Sequence, residues 1–352
     1  MSKALIQEKY IYNEDENLLS QGAFGQVFKI TDKKVGTEYV LKKLVKNDPN
    51  NKKIFGTDEE SFENEIDFLT KVKGANIVNI IDYYANPKDK HYYIILEKMD
   101  GDLEDMLNNS VNKGKMTSKM IRKIFKQLNS GFKTMIKKKK VHRDLKPSNI
   151  LFTYTNDEKS DFIVKLGDFG LATDLYKTDI KSNAGTLFFK APEVENGIYN
   201  NKCDLYSIGV ILYMLKTGEI IFDGKNDAER MISKMNGKIK KIKDDDLLND
   251  LISKLVVNNP HERIEWNDYF NHQFFKENDD DNKNVAYDNQ IKEKNKIIEN
   301  LEKKVQNLEI QINQLKSGKI DYLSLELQSM NKPKQNIIDN NIIGKNIFKF
   351  IN

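Results

Sequence analysis

Cysteine is all but missing from this chain. Cys203 is the only one among 352 residues, so no disulfide can form within the chain and a reducing compartment is expected. An excess of one charge sign is missing too. Lys and Arg number 57 against 53 Asp and Glu, a formal net charge of +4, which does not mark a nucleic-acid binder. No apolar stretch approaches the ~20 residues of a bilayer-spanning helix. The longest run, Ile208 to Leu215, reads as a buried helix. Met1 to Tyr10 lacks the apolar core of a secretory signal. The expectation from these absences is an intracellular, cytoplasmic chain with no membrane span. Its length suits two packed lobes and an additional segment.

Against this background stands Val141-His142-Arg143-Asp144-Leu145-Lys146-Pro147-Ser148-Asn149-Ile150-Leu151. It contains H-R-D-L-x-x-x-N without a substitution. Phosphoryl transfer needs a group that orients the attacking hydroxyl and takes its proton, and oxygen ligands for metal ions. Asp144 suits the first role and the amide oxygen of Asn149 the second, while Lys146 adds positive charge. A basic surface turn before a short strand is the plain alternative. The stretch resembles the catalytic loop of the eukaryotic protein kinases. That resemblance implies an α+β, bilobal fold with a β-rich N-lobe and a mostly helical C-lobe. It also implies ATP and Mg2+ as cofactors and proteins as substrates.

The flanking chain carries further matches. Leu19-Ser20-Gln21-Gly22-Ala23-Phe24-Gly25-Gln26-Val27 resembles the glycine-rich loop over the ATP phosphates, with Ser20 at the first glycine. Its glycines let backbone amides approach the phosphates. The run Tyr39 to Leu44 resembles the strand whose lysine meets the phosphates. Alternation puts Lys42, rather than Lys43, on the face of Val40, which stands at the adenine position. Phe62, Ile66, Leu69 and Val72 share one helical face over Glu59 to Val72. Glu65 stands at the position of the lysine's partner, and Leu69 is expected against Phe169. In the strand Tyr92 to Met99, Leu96 is the implied gatekeeper. The backbone of Glu97 and Met99 would hold adenine, and Asp102 the ribose.

The second lobe is similarly marked. Ile121, Ile124, Leu128, Phe132 and Met135 have helical spacing behind a Thr117 or Ser118 cap. Lys137 to Lys140 reads as a cationic helix end. Thr153 to Asp161 is a polar insertion before a strand, Phe162 to Leu166, that enters Gly167-Asp168-Phe169-Gly170. This resembles D-F-G, with Asp168 as the implied metal ligand. The following segment closes on Gly185-Thr186 and Ala191-Pro192-Glu193. Within it Ser182, then Thr178, are the regulatory phosphosite candidates, with ordinary polar loop residues as the alternative. A phosphate there would pair with Arg143. Asp204 of Asp204-Leu205-Tyr206-Ser207-Ile208-Gly209 would brace the catalytic loop, and Arg263 would pair with Glu193. Lys146 and Gly185-Thr186 favour Ser/Thr over Tyr, and Ser148 weakens the case for a basic substrate consensus. Gly167 to Thr173 resembles the stress-responsive initiation-factor kinases or the NIMA-related kinases, which leaves the subfamily open.

The expected kinase domain is 12–275, with an N-lobe at 12–99 and a C-lobe at 100–275. An acidic linker, 276–289, follows. Ile291, Ile298, Val305 and Ile312 then alternate with Leu301, Leu308 and Leu315, Lys294 breaking the first d site. The pattern predicts a coiled coil over 290–316 and a parallel homodimer, with Lys304 facing Glu309 of the partner chain. A helix folded back on the domain is the alternative. The tail, 317–352, is expected to be disordered, with Ile342 to Ile351 as a docking or inhibitory segment. The reading of the whole is a Ser/Thr protein kinase. The alternative is a pseudokinase scaffold, which would be expected to lack Lys42, Asp144 or Asp168.

Overall fold

A computed structural model describes residues 2–22, 25–46, 59–85, 90–109, 114–170, 173–174, 188–195, 197, 199–276, 301 and 303–305. The chain divides into two units, Met1–Asp279 and Asp280–Asn352. In the second, Leu301 and residues 303–305 are helical. The rest of the expected coiled coil, the linker beyond Lys276 and the tail lie outside the described residues.

The first lobe is an antiparallel sheet. Strands β1 (Tyr10–Ile11) and β2 (Leu18–Gly22) lie along one edge of β3 (Gly25–Asp32). The sheet continues through β4 (Glu38–Val45) and β6 (His91–Glu97) to β5 (Ile80–Ala85). Four consecutive residues of β6, Tyr92 to Ile95, are buried. Successive side chains of a strand point to opposite faces, so burial of all four requires cover on both. Tyr92 and Ile94 join a core with Phe62, Ile66 and Leu69 of helix α2 (Glu59–Lys71). Tyr93 and Ile95 join a second core with Ile6, Tyr10, Tyr12, Phe28, Ile30 and Leu41.

That second core also takes in residues ahead of the expected domain start at 12: Ile6 of helix α1 (Ser2–Lys9) and Tyr10 are at most 1% exposed. Lys9 reaches Asp82 at 3.1 Å, and Lys33 donates to the Gln7 carbonyl. The upstream segment is thus part of the sheet's outer layer.

The expected lobe division near Asp100 falls between β6 and β7 (Gly101–Asp102). Helix α3 (Leu103–Asn108) follows, then α4 (Ser118–Lys137), capped by the Thr117 hydroxyl. Strand β8 (Lys140–Val141) leads into the H-R-D run, and a 3-10 turn (Pro147–Asn149) into β9 (Ile150–Tyr154). β9 lies between β7 and β10 (Phe162–Leu166). Thr153 and Tyr154, expected in a loop, continue β9 opposite Ile163 and Phe162. β11 (Thr173–Asp174) pairs with β8. Two bonds fasten the lobes behind the cleft: Val78 N–H to the Leu166 carbonyl (2.9 Å) and Leu166 N–H to that of Asn76 (2.9 Å).

After α5 (Pro192–Glu195) comes α6 (Lys202–Thr217), buried at 13 of its 16 residues. A helix apolar on all sides belongs in a core. Gly209 is what lets α8 (Asp246–Leu255) approach it. A Cβ there would sit 2.6 Å from Val256 Cγ2 and 2.8 Å from Leu255 Cβ. Helices α7 (Asp227–Met235), α9 (Trp266–Phe270) and α10 (Gln273–Lys276) complete the lobe, with the expected end at Phe275 inside the last.

Candidate active site

The cleft is assembled from both lobes. β4 sets Lys42 opposite Val27 on one side and Ile94 on the other. Its ammonium reaches Glu65 Oε1 at 2.8 Å and Asp168 Oδ1 at 2.9 Å. Glu65, on α2, is 3% exposed, while the Asp168 side chain is 49% exposed. Burial alone would lower the pKa of Lys42. The charges of Asp168 and then Glu65 more than reverse this, so the amine stays protonated. Lys42 in turn holds the Asp168 carboxyl down at about 2. Burial pushes Glu65 upward, against the pull of Lys42.

The catalytic-loop residues are held by backbone as much as by side chains. Asp204, buried at the start of α6, accepts from the His142 N–H (2.8 Å) and the Arg143 N–H (2.9 Å). Burial raises its pKa against the opposing pull of His142 and Arg143. The Asn149 amide donates to the Asp144 carbonyl (2.7 Å) and to Asp144 Oδ2 (3.0 Å). That uses the nitrogen side of the amide and turns its oxygen away from Asp144. Lys146 Nζ lies 3.1 Å from Asp144 Oδ2.

The D-F-G run is tied to this loop. The Gly167 N–H donates to the Asn149 carbonyl (2.9 Å), and His142 Nε2 donates to that of Gly167 (3.0 Å). Phe169 is buried between rings: His142 at 5.0 Å and Phe68, stacked, at 4.3 Å. The expected neighbour was Leu69; the aromatic contact comes from Phe68, one position earlier on α2. Leu69 is buried in the same core. Arg143 and Asp168 both have positive φ, 67° and 52°. Side chains larger than glycine keep such angles only where their surroundings hold them.

The other implied site residues distribute as follows. Leu19 and Ser20 are exposed on β2, and Gln26 and Val27 are partly covered on β3. Gln21 pairs with Gln26 and Gly22 with Gly25, while Ala23 and Phe24 lie outside the described residues. Gly25 has a role beyond the loop: a Cβ there would lie 2.1 Å from the Lys43 carbonyl oxygen. Val40 faces Leu96 across the β4–β6 ladder. The Glu97 carboxylate accepts from Lys165 Nζ (2.7 and 2.8 Å) and from the Asn79 N–H (2.7 Å). Its side chain is therefore committed behind the cleft. Met99 is partly covered beyond β6. Asp102 caps α3, Oδ1 accepting from Glu104 N–H (2.8 Å) and Asp105 N–H (3.0 Å). Glu193 and Arg263 form a bidentate pair at 2.6 and 3.0 Å. Ser182 and Thr178 lie outside the described residues.

A comparison with known families matches residues 13–275 to the protein kinase domain. The chain belongs to the protein kinase family. Calcium-dependent protein kinase 4 of Plasmodium falciparum (isolate 3D7) is 32% identical over 283 residues, covering 78% of this chain and 51% of that protein. Calcium-dependent protein kinase 5 of the same organism is 30% identical over 274 residues, 76% of this chain and 45% of that protein. Serine/threonine-protein kinase 33 of Bos taurus is 32% identical over 234 residues, 64% and 46%. The chain spans about half the length of these curated relatives.

Three contacts of this kinase-family site were not read from the sequence: Phe68 on Phe169, Lys165 on Glu97, and Tyr199 on Arg143. The helical spacing of α2 pointed to Leu69, and Phe68 stands one position before it. The other two join residues 68 and 56 positions apart, with no motif to pair them.

Proposed function

We propose that this chain is a Ser/Thr protein kinase that transfers the γ-phosphoryl group of ATP to hydroxyls of protein substrates. The observation that carries this is the linkage of two charged clusters. Lys42, Glu65 and Asp168 form one, and Asp144, Lys146 and Asn149 the other, joined through both backbone atoms of Gly167. Asp144 orients the substrate hydroxyl and accepts its proton. Lys146 adds positive charge beside the transferred group. Lys42, steadied by Glu65, meets the α- and β-phosphates. The glycine-rich run supplies backbone amides to them, and Val40 and Leu96 flank the adenine. With the Glu97 side chain engaged elsewhere, its backbone and that of Met99 are what hold the adenine edge. Asp102 meets the ribose with a carboxylate whose Oδ1 is already used by the α3 cap.

The amide oxygen of Asn149 and the ionised Asp168 are hard oxygen donors, the set that suits Mg2+. The ion supplies charge neutralisation on the phosphates when bound. Ser182 and Thr178 are proposed phosphosites. Dimerisation through 290–316 is a proposal supported by the heptads and by the exposure of Leu301 and Val305. Nothing observed favours the scaffold alternative, since Lys42, Asp144 and Asp168 are all present and engaged.

The test is phosphotransfer from labelled Mg-ATP to a generic protein substrate, with phosphoamino-acid analysis, beside Asp144→Asn. Phosphoserine or phosphothreonine that disappears in the variant is expected. Absence of transfer from a chain that still binds ATP would refute the reading.

A further inference from the structure

Arg143 sits between His142, which bonds to the D-F-G run, and Asp144. Its backbone is pinned by Asp204, and its φ of 67° lies in the left-handed region. The side chain is held as well. Nη1 donates to the Tyr199 hydroxyl at 2.7 Å, and the guanidinium carbon lies 5.4 Å from the centre of that ring. One tyrosine thus offers both a charge-assisted hydrogen bond and a cation–π face.

Tyr199 stands on a rigid base. It lies five residues before Asp204, at the head of the segment that enters α6. The Asn200 side chain accepts from the Lys202 N–H (2.8 Å), and Trp266 Nε1 donates to the Asn201 carbonyl (3.2 Å). Lys202 and Arg263 exchange bonds, Lys202 Nζ to the Arg263 carbonyl (2.9 Å) and Arg263 Nη1 to that of Lys202 (2.7 Å). Arg263 is itself locked to Glu193. The segment therefore grips the catalytic loop twice, at the Arg143 backbone through Asp204 and at its side chain through Tyr199.

We propose that Tyr199 is a positioning residue for phosphoryl transfer: it holds the Arg143 guanidinium, and with it Asp144, in place without a phosphate from the activation segment. This rests on the kinase reading above. A phenol is a neutral acceptor that is present from synthesis onward. It gives a standing level of order at Arg143, to which a phosphate dianion at Ser182 or Thr178 would add rather than act as an on-switch.

The experiment uses the full chain, stripped of phosphate by a phosphatase and verified by intact mass. Wild type, Tyr199→Phe, Arg143→Ala and the double variant are compared for kcat and KM with Mg-ATP. The phenylalanine keeps the ring and removes only the hydroxyl. Expected are clear transfer by the stripped wild type and a kcat lowered roughly tenfold in Tyr199→Phe, the scale of one hydrogen bond to a charged group. KM for ATP should stay within about twofold, since the contact lies off the nucleotide, and the chain should stay folded with only a small drop in thermal midpoint. In the Arg143→Ala background the second substitution should have no further effect, as expected of a directly coupled pair. A Tyr199→Phe chain with wild-type kcat, or an equal loss with and without Arg143, would overturn the proposal. So would a stripped wild type that is inactive while its phosphorylated form transfers. No transfer from either form would instead refute the kinase reading itself.

Discussion

Lys42 with Glu65 and Arg263 with Glu193 each join a cation to a carboxylate that is at most 9% exposed. In most other respects they differ. The Arg263 side chain is fully buried, bonds Glu193 through two nitrogens, and gives its remaining donors to the Val257 and Lys202 carbonyls. Every part of it is used, and its partner is fixed. Lys42 is 19% exposed, and its single ammonium is shared between Glu65 and an Asp168 that is half open to solvent. A flexible point charge between two carboxylates can change partners, while a planar fork on one carboxylate cannot easily do so. The geometry separates an ion pair locked into a core from one left free to exchange partners.

Substitutions can break this contrast. The largest effect is expected from Lys42→Met, with phosphotransfer down by roughly 10²–10³-fold, the scale for losing one charge-stabilising group. Its thermal midpoint should move little, because Glu65, already pushed upward by burial, can take a proton. A chain that unfolds instead would show that Lys42 is structural. Arg263→Ala should do the reverse. It strands Glu193 in the core at a cost of about 3–5 kcal/mol, read as loss of soluble chain or a greatly lowered denaturation midpoint. Arg263→Lys sharpens the comparison: one cation can no longer meet both Glu193 oxygens and Val257, and about 1–3 kcal/mol should be lost. If lysine serves equally well, the bidentate geometry is not what matters.

Acid tests the Lys42 cluster more weakly. Because Lys42 depresses the Asp168 pKa to about 2 from 3.8, its stabilising contribution is complete above pH 3.8. It is lost as pH falls through about 2. Solvent at this half-exposed carboxylate reduces the size of the effect. Acid unfolding of Asp168→Asn, followed by circular dichroism, should lack that component below pH 4. Identical acid limbs would mean that Lys42 does not hold the carboxylate in solution.

Most of this architecture was legible because the relevant residues are neighbours in sequence or repeat at helical or strand spacing. His142-Arg143-Asp144, Gly167-Asp168-Phe169-Gly170, Lys42 on its strand and Glu65 on its helix lie where those patterns put them. The role of Gly209 also lay within a recognised run, although the clash it avoids required α8 in view. Helix α1 was not legible because it buries only one described residue, Ile6; one anchor sets no period. Phe68 was missed because positions three and four beyond Glu65 both face the core. Tyr199 and Lys165 were missed because each meets its partner only after the chain has folded back on itself.

The two-sided burial of β6 has a consequence for the first twelve residues. Ile94 stands beside Lys42 in the ladder and packs toward α2, while Tyr93 and Ile95 pack toward α1. A segment remote from every motif is thus separated from Lys42 by the thickness of a single strand. A chain shortened to the boundaries of the family match would expose Tyr93 and Ile95 to water. What looks like trimming of a dispensable leader would loosen the strand paired with the one that carries Lys42.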